Sequence, residues 1–193
     1  SAASDVYKRQ GHNGLEKALD MIVDKVEKKV DNNHNIVILS DRKTSKKHAP
    51  IPILLVCSYV HHSLIKRKKR SKFGIVIESA EPREPHHFSM LFGFGASAIN
   101  PYMVNEIIEY HHKLGFLNEQ KLDKSIDNFN KAIAKGILKV MNKIGISTLH
   151  SYRGAQIFEA LGLRQKFVNK YFNNTPSRIE GAGLYVLEKE VSS

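Results

Sequence analysis

The sequence predicts an α/β fold, a parallel sheet with covering helices followed by a mainly helical C-terminal part. Three short runs rich in apolar and β-branched residues, at 35–39, 73–77 and 96–100, alternate with segments whose apolar residues recur every three to four positions. The joins between them are short. A strand that returns to its neighbour through a helix runs parallel to it by a right-handed crossover. This pattern is compatible with a sheet curled into a barrel or left open.

Residues 1–12, SAASDVYKRQGH, show no apolar period and are read as artefact or disordered, outside the fold. From Leu15 the positions Leu15, Ala18, Leu19, Ile22, Val23, Val26 and Val30 form one helix face, which Asp31, Asn32 and Asn33 end. The run at 35–39, with Ile36, Val37 and Ile38, is continuous enough to predict a strand buried on both faces. Ser40 and Asp41 leave it at its carboxyl end. A polar, proline-marked connection at 43–52 leads to a helix over 53–67 that offers Leu54, Leu55, Val56, Val60, Leu64 and Ile65 to a core. The second strand, 73–77, ends at Glu78 and Ser79. A short helix over 85–92 is closed by Gly93 and Gly95, and the third strand, 96–100, follows at once.

Beyond Pro101 the chain turns helical, with helices expected over 102–113 and 119–143. In the longer one Ile126, Phe129, Ile133, Ile137, Leu138 and Met141 mark the buried face, and Gly145 ends it. An extended piece at 146–149 precedes helices at 153–161 and 165–172, then a loop with Gly181 and Gly183 and a final partial helix. The division that follows is an α/β part over 13–117 and a helical part over 118–193.

A hydrophobic content of 41% is that of a chain with a real core. No apolar run approaches the roughly 20 residues that cross a bilayer, so a soluble cytoplasmic protein without membrane partners is expected. The single Cys57 lies in an apolar stretch and cannot alone supply a disulfide, a zinc site or an iron–sulfur site. The net charge of +11 raises a nucleic-acid reading. Its densest run, Lys66, Arg67, Lys68, Lys69 and Arg70, falls at a helix end, where cations offset the helix dipole, and no stacking aromatics accompany it. A solvated helix terminus is therefore favoured, and no nucleic-acid partner is expected.

Among residues that could carry chemistry, the stretch 75–101 is the best placed, since phosphate-binding barrels hold their ligands at the carboxyl ends of the strands. Its chemistry is poor: Glu78, Glu81 and Glu84 would repel a phosphate, and Gly93 and Gly95 precede the third strand, so they are read as packing and turn residues. The histidine pairs His61–His62, His86–His87 and His111–His112 are adjacent, and neighbours on a helix point about 100° apart, too far to share a metal readily. Ser40 with Asp41, and Ser147 with His150, lack a nucleophile elbow, and a cap or turn explains Ser40 and Asp41 better. The polar cluster Ser147, Thr148, Ser151, Tyr152, Arg153 and Gln156, between a glycine stop and an apolar helix, suits either a domain boundary or a surface loop.

Four longer strings, SDRKTSKKHAPIPILL (40–55), ESAEPREPHHFSMLFGFGASAINPY (78–102), KGILKVMNKIGISTLHSYRGAQIFEALGL (135–163) and TPSRIEG (175–181), resemble the large subunit of the glutamate synthases, in the family's order. The resemblance extends from about Gly14 to the end. It implies a fragment of the central domain, of partial barrel-like α/β build, with the start of the connection to the FMN-binding domain. The parent enzyme it implies is an oxidoreductase of CH–NH2 donors. It takes ammonia from glutamine in an amino-terminal glutaminase domain, passes it through a tunnel to 2-oxoglutarate, and reduces the imine on FMN. Electrons would reach FMN through an iron–sulfur cluster from NAD(P)H or ferredoxin. The expected partners are the remaining domains of the polypeptide and a small electron-transfer subunit or ferredoxin. No catalytic, cofactor-binding or metal residue of that family is carried onto this chain, which alone is expected to be inactive and to bind no cofactor. The rival readings are a basic nucleic-acid-binding module and a free-standing phosphate-binding barrel enzyme.

Overall fold

A computed structural model describes residues 2–4, 6–8, 14–44, 48–117 and 121–192 of the chain. In order, the elements are β1 (Ala2–Ser4), β2 (Val6–Lys8), α1 (Gly14–Asp31), β3 (Ile36–Ser40), β4 (His48–Pro50), α2 (Ile53–Lys66), a 3-10 turn (Arg70–Lys72), β5 (Gly74–Glu78), α3 (Pro85–Gly93) and β6 (Ala98–Asn100). They continue with α4 (Tyr102–Lys113), α5 (Leu122–Lys143), α6 (Leu149–Tyr152), β7 (Ala160–Leu163), α7 (Gln165–Tyr171), β8 (Ser177–Ala182) and α8 (Leu184–Ser192).

The main sheet is parallel, in the order β1-β3-β5-β6. Its register runs from Ile36 opposite Gly74 to Ser40 opposite Glu78, and from Val76 opposite Ala98 to Glu78 opposite Asn100. The strands succeed one another across the sheet in chain order, with none of the reversal that marks a doubly wound sheet. Of the two arrangements the sequence allows, this is the barrel-like one, and right-handed crossovers then put the helices on one face. β2 and β4 form a separate antiparallel pair, and β7 and β8 a parallel one. The opening residues, set aside on their sequence, thus supply strand β1 along β3 and strand β2 along β4.

The core lies between the sheet and the helices α1 and α2. Val37, Leu39, Ile75 and Ile77 are sealed against Leu15, Leu19, Val23 and Val26 of α1 and Val56, Val60 and Leu64 of α2. The other face differs from expectation. β3 is not buried on both sides: Ile36 is 57% exposed, and Ile38 and Val76 are half-buried. Successive side chains of a strand point to opposite faces, so a sheet lined with helices on one side leaves every second residue partly open even in a continuous apolar run. Ile65, expected in the core, is 48% exposed on the outer side of α2.

Ion pairs bind α1 to the end of α2. Arg67 pairs with Asp24 at 3.0 Å and with Glu27, Lys69 pairs with Glu27 at 2.7 Å and Asp31 at 2.8 Å, and Tyr59 donates to Asp20 at 2.6 Å. Three of the five cations in the run 66–70, Arg67, Lys69 and Arg70, are thus engaged within the chain.

The C-terminal part is less helical than its pattern suggests. α6 ends after Tyr152 because Gly154 and Gln156 take left-handed backbone, at φ 72° and 56°, and a right-handed helix cannot run through them. Where a helix over 153–161 is expected, the chain runs irregularly to β7; the extended piece expected at 146–149 is a connection ending in α6, and the Gly181 loop is part of β8. On α5 only Ile133 and Met141 are buried, and Leu138, expected inside, is 56% exposed. That helix packs chiefly on α3 and α4, along a narrow stripe. α7 completes the core with Phe167, Val168 and Tyr171, and the Ser58 hydroxyl donates to the Tyr171 carbonyl at 2.6 Å. From α8, Glu188 accepts the Gly14 N–H at 3.1 Å and so caps α1.

Leu39 is 0% exposed at the centre of the sheet, and truncating it leaves a cavity the neighbouring strands cannot close. Leu39→Ala lowers the unfolding free energy by about 2 to 5 kcal/mol, read as a shift of the urea midpoint, whereas Leu138→Ala moves it by no more than about 0.5 kcal/mol.

Candidate functional site

In a parallel sheet of this kind a ligand is expected at the carboxyl ends of the strands. Here that edge carries Ser40, which ends β3, with Asp41 and Arg42 after it, and Glu78, which ends β5, with Ser79 and Glu81 after it. Their polar atoms are engaged with one another. Asp41, 4% exposed, accepts from the Ser79 hydroxyl at 2.6 Å and the Ala80 N–H at 3.0 Å, and the Tyr102 hydroxyl also donates to it. Burial, followed by that bond to the carboxylate, pushes the Tyr102 phenol up to about 12. Ser40 donates to Glu78 at 2.6 Å, and Arg42 bridges Glu78 at 2.9 Å and Glu106 at 3.1 Å while lying 4.0 Å over the Tyr102 ring. The Ser40 hydroxyl and then Arg42 hold the Glu78 carboxyl below its ordinary range.

Glu81 reaches from the loop after β5 to accept the Ile53 N–H at 3.0 Å, supplying the cap that Pro52 does not give α2. It stands on the wall of a cleft of about 290 Å³ lined by Ile53, Leu54, Pro82, His87, Met90 and Leu91. Enclosure of the carboxyl raises its pKa to about 7, although one side of the residue meets solvent, which screens part of the effect.

A second polar centre lies at the turn between α3 and β6. Arg70 donates from Nε to His61 Nδ1 at 2.9 Å, and from its two terminal nitrogens to the carbonyls of Phe73 and Gly95, each at 2.7 Å. This ties the end of α2, the start of β5 and the α3–β6 turn to one cation. Gly95 takes φ 108°, and a Cβ there would stand 2.2 Å from His61 Nδ1. His61, 8% exposed, has its pKa driven down to about 3, first by burial and then by the charges of Arg70, His62 and Arg153.

The segment singled out as a domain boundary abuts this turn. Gly154 donates its N–H to the Gly93 carbonyl at 3.0 Å. Of the six candidates, Ser147, Thr148, Ser151 and Gln156 are exposed, and Thr148 caps α6 by accepting the Ser151 N–H at 3.2 Å. Tyr152 is 0% exposed and so cannot reach across a boundary; it packs edge-on to Phe158, which stacks on Phe94 with ring centres 5.8 Å apart. Arg153 is half-buried beside His61 and Arg70. The sequence reading missed Arg70 and His61 as partners, because a lysine- and arginine-rich helix end does not reveal which cation turns inward. Glu81 as a cap was likewise invisible, since it acts from 28 residues away.

The histidine pairs occupy ring contacts and hydrogen bonds: His61 meets His62 edge-on, His86 meets Phe158, and His87 accepts the Arg83 N–H at 3.2 Å. Among the described residues no group of three or more His, Cys, Asp or Glu side chains is arranged to hold a metal ion, and no helix is long and apolar enough to cross a membrane.

The arrangement defines an α/β domain whose strand ends are cross-linked internally. The profile of the glutamate synthase central domain matches residues 2–164, and the chain belongs to that family. It is 40% identical over 176 residues to the glutamate synthase (NADPH) large chain of Bacillus subtilis, covering 91% of this chain and 12% of that protein. Against the glutamate synthase (NADH) of Schizosaccharomyces pombe it is 41% identical over 179 residues, covering 91% of this chain and 8% of that protein. Ferredoxin-dependent glutamate synthase 2 of Synechocystis is 36% identical over 201 residues, with 97% and 13% covered. The chain therefore spans about a tenth of the length of these relatives.

Gly95→Ala forces both a left-handed alanine and a displaced His61, and lowers stability by about 2 kcal/mol or more, measured by urea unfolding. His61 gives a pH test. Its folded pKa lies below the unfolded value of about 6.5, so the unfolded chain binds the extra proton, and stability falls as pH drops from about 6.5 toward about 3. Glu81, with its folded pKa raised, acts oppositely, contributing stability that is lost as pH rises toward about 7. The difference between wild type and His61→Gln isolates the histidine: the urea midpoint of wild type declines more between pH 7 and pH 5 than that of the variant.

Proposed function

We propose that this chain is the non-catalytic central scaffold of a glutamate synthase, the enzyme that forms two glutamates from glutamine and 2-oxoglutarate with a reductant. In this reading it stands between a glutaminase site and an FMN site carried elsewhere in a longer polypeptide, its partners being the other domains and a small electron-transfer subunit or ferredoxin. Family membership supports the assignment, and the observation that carries the scaffold role is the state of the strand ends. Asp41, Ser79, Glu78, Ser40, Arg42 and Glu81 are committed to one another and to nearby backbone, at the edge where a barrel of this type would hold a phosphate.

The residues present do not fit the cofactors of the parent enzyme. Glu78 and Glu81 place carboxylates where an FMN phosphate would lie, and the cation at that edge, Arg42, already bridges Glu78 and Glu106. Cys57 is buried and is the one cysteine of the chain, far short of the set of thiolates that holds an iron–sulfur cluster. In this reading FMN and the cluster, with NADPH, NADH or ferredoxin as electron source, belong to the rest of a cytoplasmic enzyme.

The exposed members of the boundary cluster are the ones that face a neighbouring domain: Ser147, Thr148, Ser151 and Gln156, held from beneath by Tyr152. Introducing Ser147→Lys with Gln156→Lys into the full-length enzyme leaves each half-reaction running but loosens their coupling, so that glutamine hydrolysis outpaces glutamate formation. Steady-state assay of both products checks this, and a ratio that stays at the wild-type value removes the interface role.

A further inference from the structure

Helix α4 leaves much of its apolar surface open. Of its 12 residues only Tyr102 is buried, whereas α1 buries seven of its own. Ile107, Tyr110 and Leu114 recur at the spacing of one helix face, and they are 41%, 61% and 50% exposed. The surface continues past the end of the helix. Gly115, at φ 75°, turns the chain, and the Phe116 N–H bonds to the His111 carbonyl at 3.1 Å. The Phe116 ring, 71% exposed, meets the His111 ring edge-on with centres 6.0 Å apart, and Tyr110 lies equally far from His111 on its other side in sequence. His111 therefore joins Phe116 to the stripe.

The charges of α4 are spent within the chain. Glu106 pairs with Arg42 at 3.1 Å and Glu109 with Lys113 at 2.7 Å, so the stripe offers apolar contact and the Tyr110 hydroxyl to an occupant that needs no charge. A helix this short is marginal in water by itself and is held by packing of its apolar face, and soluble domains rarely leave a contiguous apolar patch uncovered. α4 lies inside the span 2–164 matched by the family profile, so this is a face of the family's domain and not of a tail. Two facts select the occupant. The relatives extend far beyond this segment, which covers 12% and 8% of two of them, and the rest of such a polypeptide is tethered to α4 at a high effective concentration. A second copy is opposed by the net charge of +11, which sets like surfaces against each other.

We propose that the face formed by Ile107, Tyr110, Leu114 and Phe116 is the seat of another domain of the same polypeptide, which meets it through an uncharged apolar surface. This rests on the scaffold reading, which supplies the longer polypeptide, and adds to it the place and the chemistry of a contact.

The photo-crosslinking amino acid p-benzoylphenylalanine, put in place of Tyr110 in the full-length enzyme, is the probe. It is an aromatic residue at an exposed position, so the fold is kept. Irradiation and peptide mass spectrometry yield a crosslink to a residue of the same polypeptide outside the segment 1–193. Enzyme assembled from isotope-labelled and unlabelled chains gives no mixed-mass pair. In the same enzyme Leu114→Asp speeds amide exchange through α4 by about tenfold while β3 and β5 keep their protection. Crosslinks confined to this segment, mixed-mass pairs from a second copy, capture of a different protein, or no crosslink at all overturns the proposal. Exchange in folded Leu114→Asp within about twofold of wild type does the same. If that variant fails to fold, the crosslink decides alone. The scaffold reading fails on a different measurement, the mass of the native polypeptide. A subunit no longer than this chain removes both, whereas a longer one with no crosslink at Tyr110 removes only the docking face.

Discussion

Arg70 must be held, uncompensated by a carboxylate, among groups that can each accept one of its protons, and much of this molecule is organised by that requirement. Its three acceptors belong to α2, to the residue before β5 and to the turn after α3, which one side chain thus draws together. His61 serves only while its Nδ1 is unprotonated, and the approach of its ring is open only because residue 95 has no Cβ. From the same turn the Gly93 carbonyl reaches Gly154 and so anchors the aromatic group of Phe94, Phe158, Tyr152 and Phe172. This cation and the backbone it grips are thus one of the links between the sheet and the C-terminal part, beside the Ser58–Tyr171 and Gly14–Glu188 bonds.

The barrel-like winding by itself invites a ligand at the carboxyl ends of the strands, and fold alone does not decide whether one binds. The side chains speak to that question. A binding edge keeps donors or charges unspent, whereas here Arg42 is taken up by two glutamates and Asp41 by a serine, a tyrosine and a backbone amide. The carboxylate of Glu81 is turned to the start of a helix. An edge closed by its own side chains behaves as a rigid wall, in keeping with the scaffold role proposed above.

Much of this architecture was legible in the residues. The periods of Leu15 to Val30, of 53–67 and of 102–113 gave α1, α2 and α4 to within a residue or two, and the runs around Val37 and Ile75 gave the central strands. Where sequence failed, the deciding information was not local. The continuous apolar run Ile36, Val37, Ile38 does not say how many faces of the sheet are covered. Leu138 fits the helix period of α5 yet stays 56% exposed, and the 153–161 segment is turned aside by left-handed backbone at Gln156, a residue with no particular preference for it. At the candidate site, the polarity of Ser147 to Gln156 located the segment but could not separate buried Tyr152 from its exposed neighbours, nor show that Gly154 would hydrogen-bond back to Gly93.

The family profile ends at residue 164, inside a structure that continues to matter. β7 stops at Leu163, and its hydrogen-bonded neighbour β8 begins only at Ser177. Phe167, Val168 and Tyr171 plug the side of α2, and Glu188 closes the first turn of α1 from the far end of the chain. A truncation drawn at the evolutionary boundary would strip a helix from the hydrophobic interior and leave a strand with a bare edge ready to pair with other copies. The unit that natural selection tracks as recurring and the unit that physics requires to remain closed are, in this molecule, of different length.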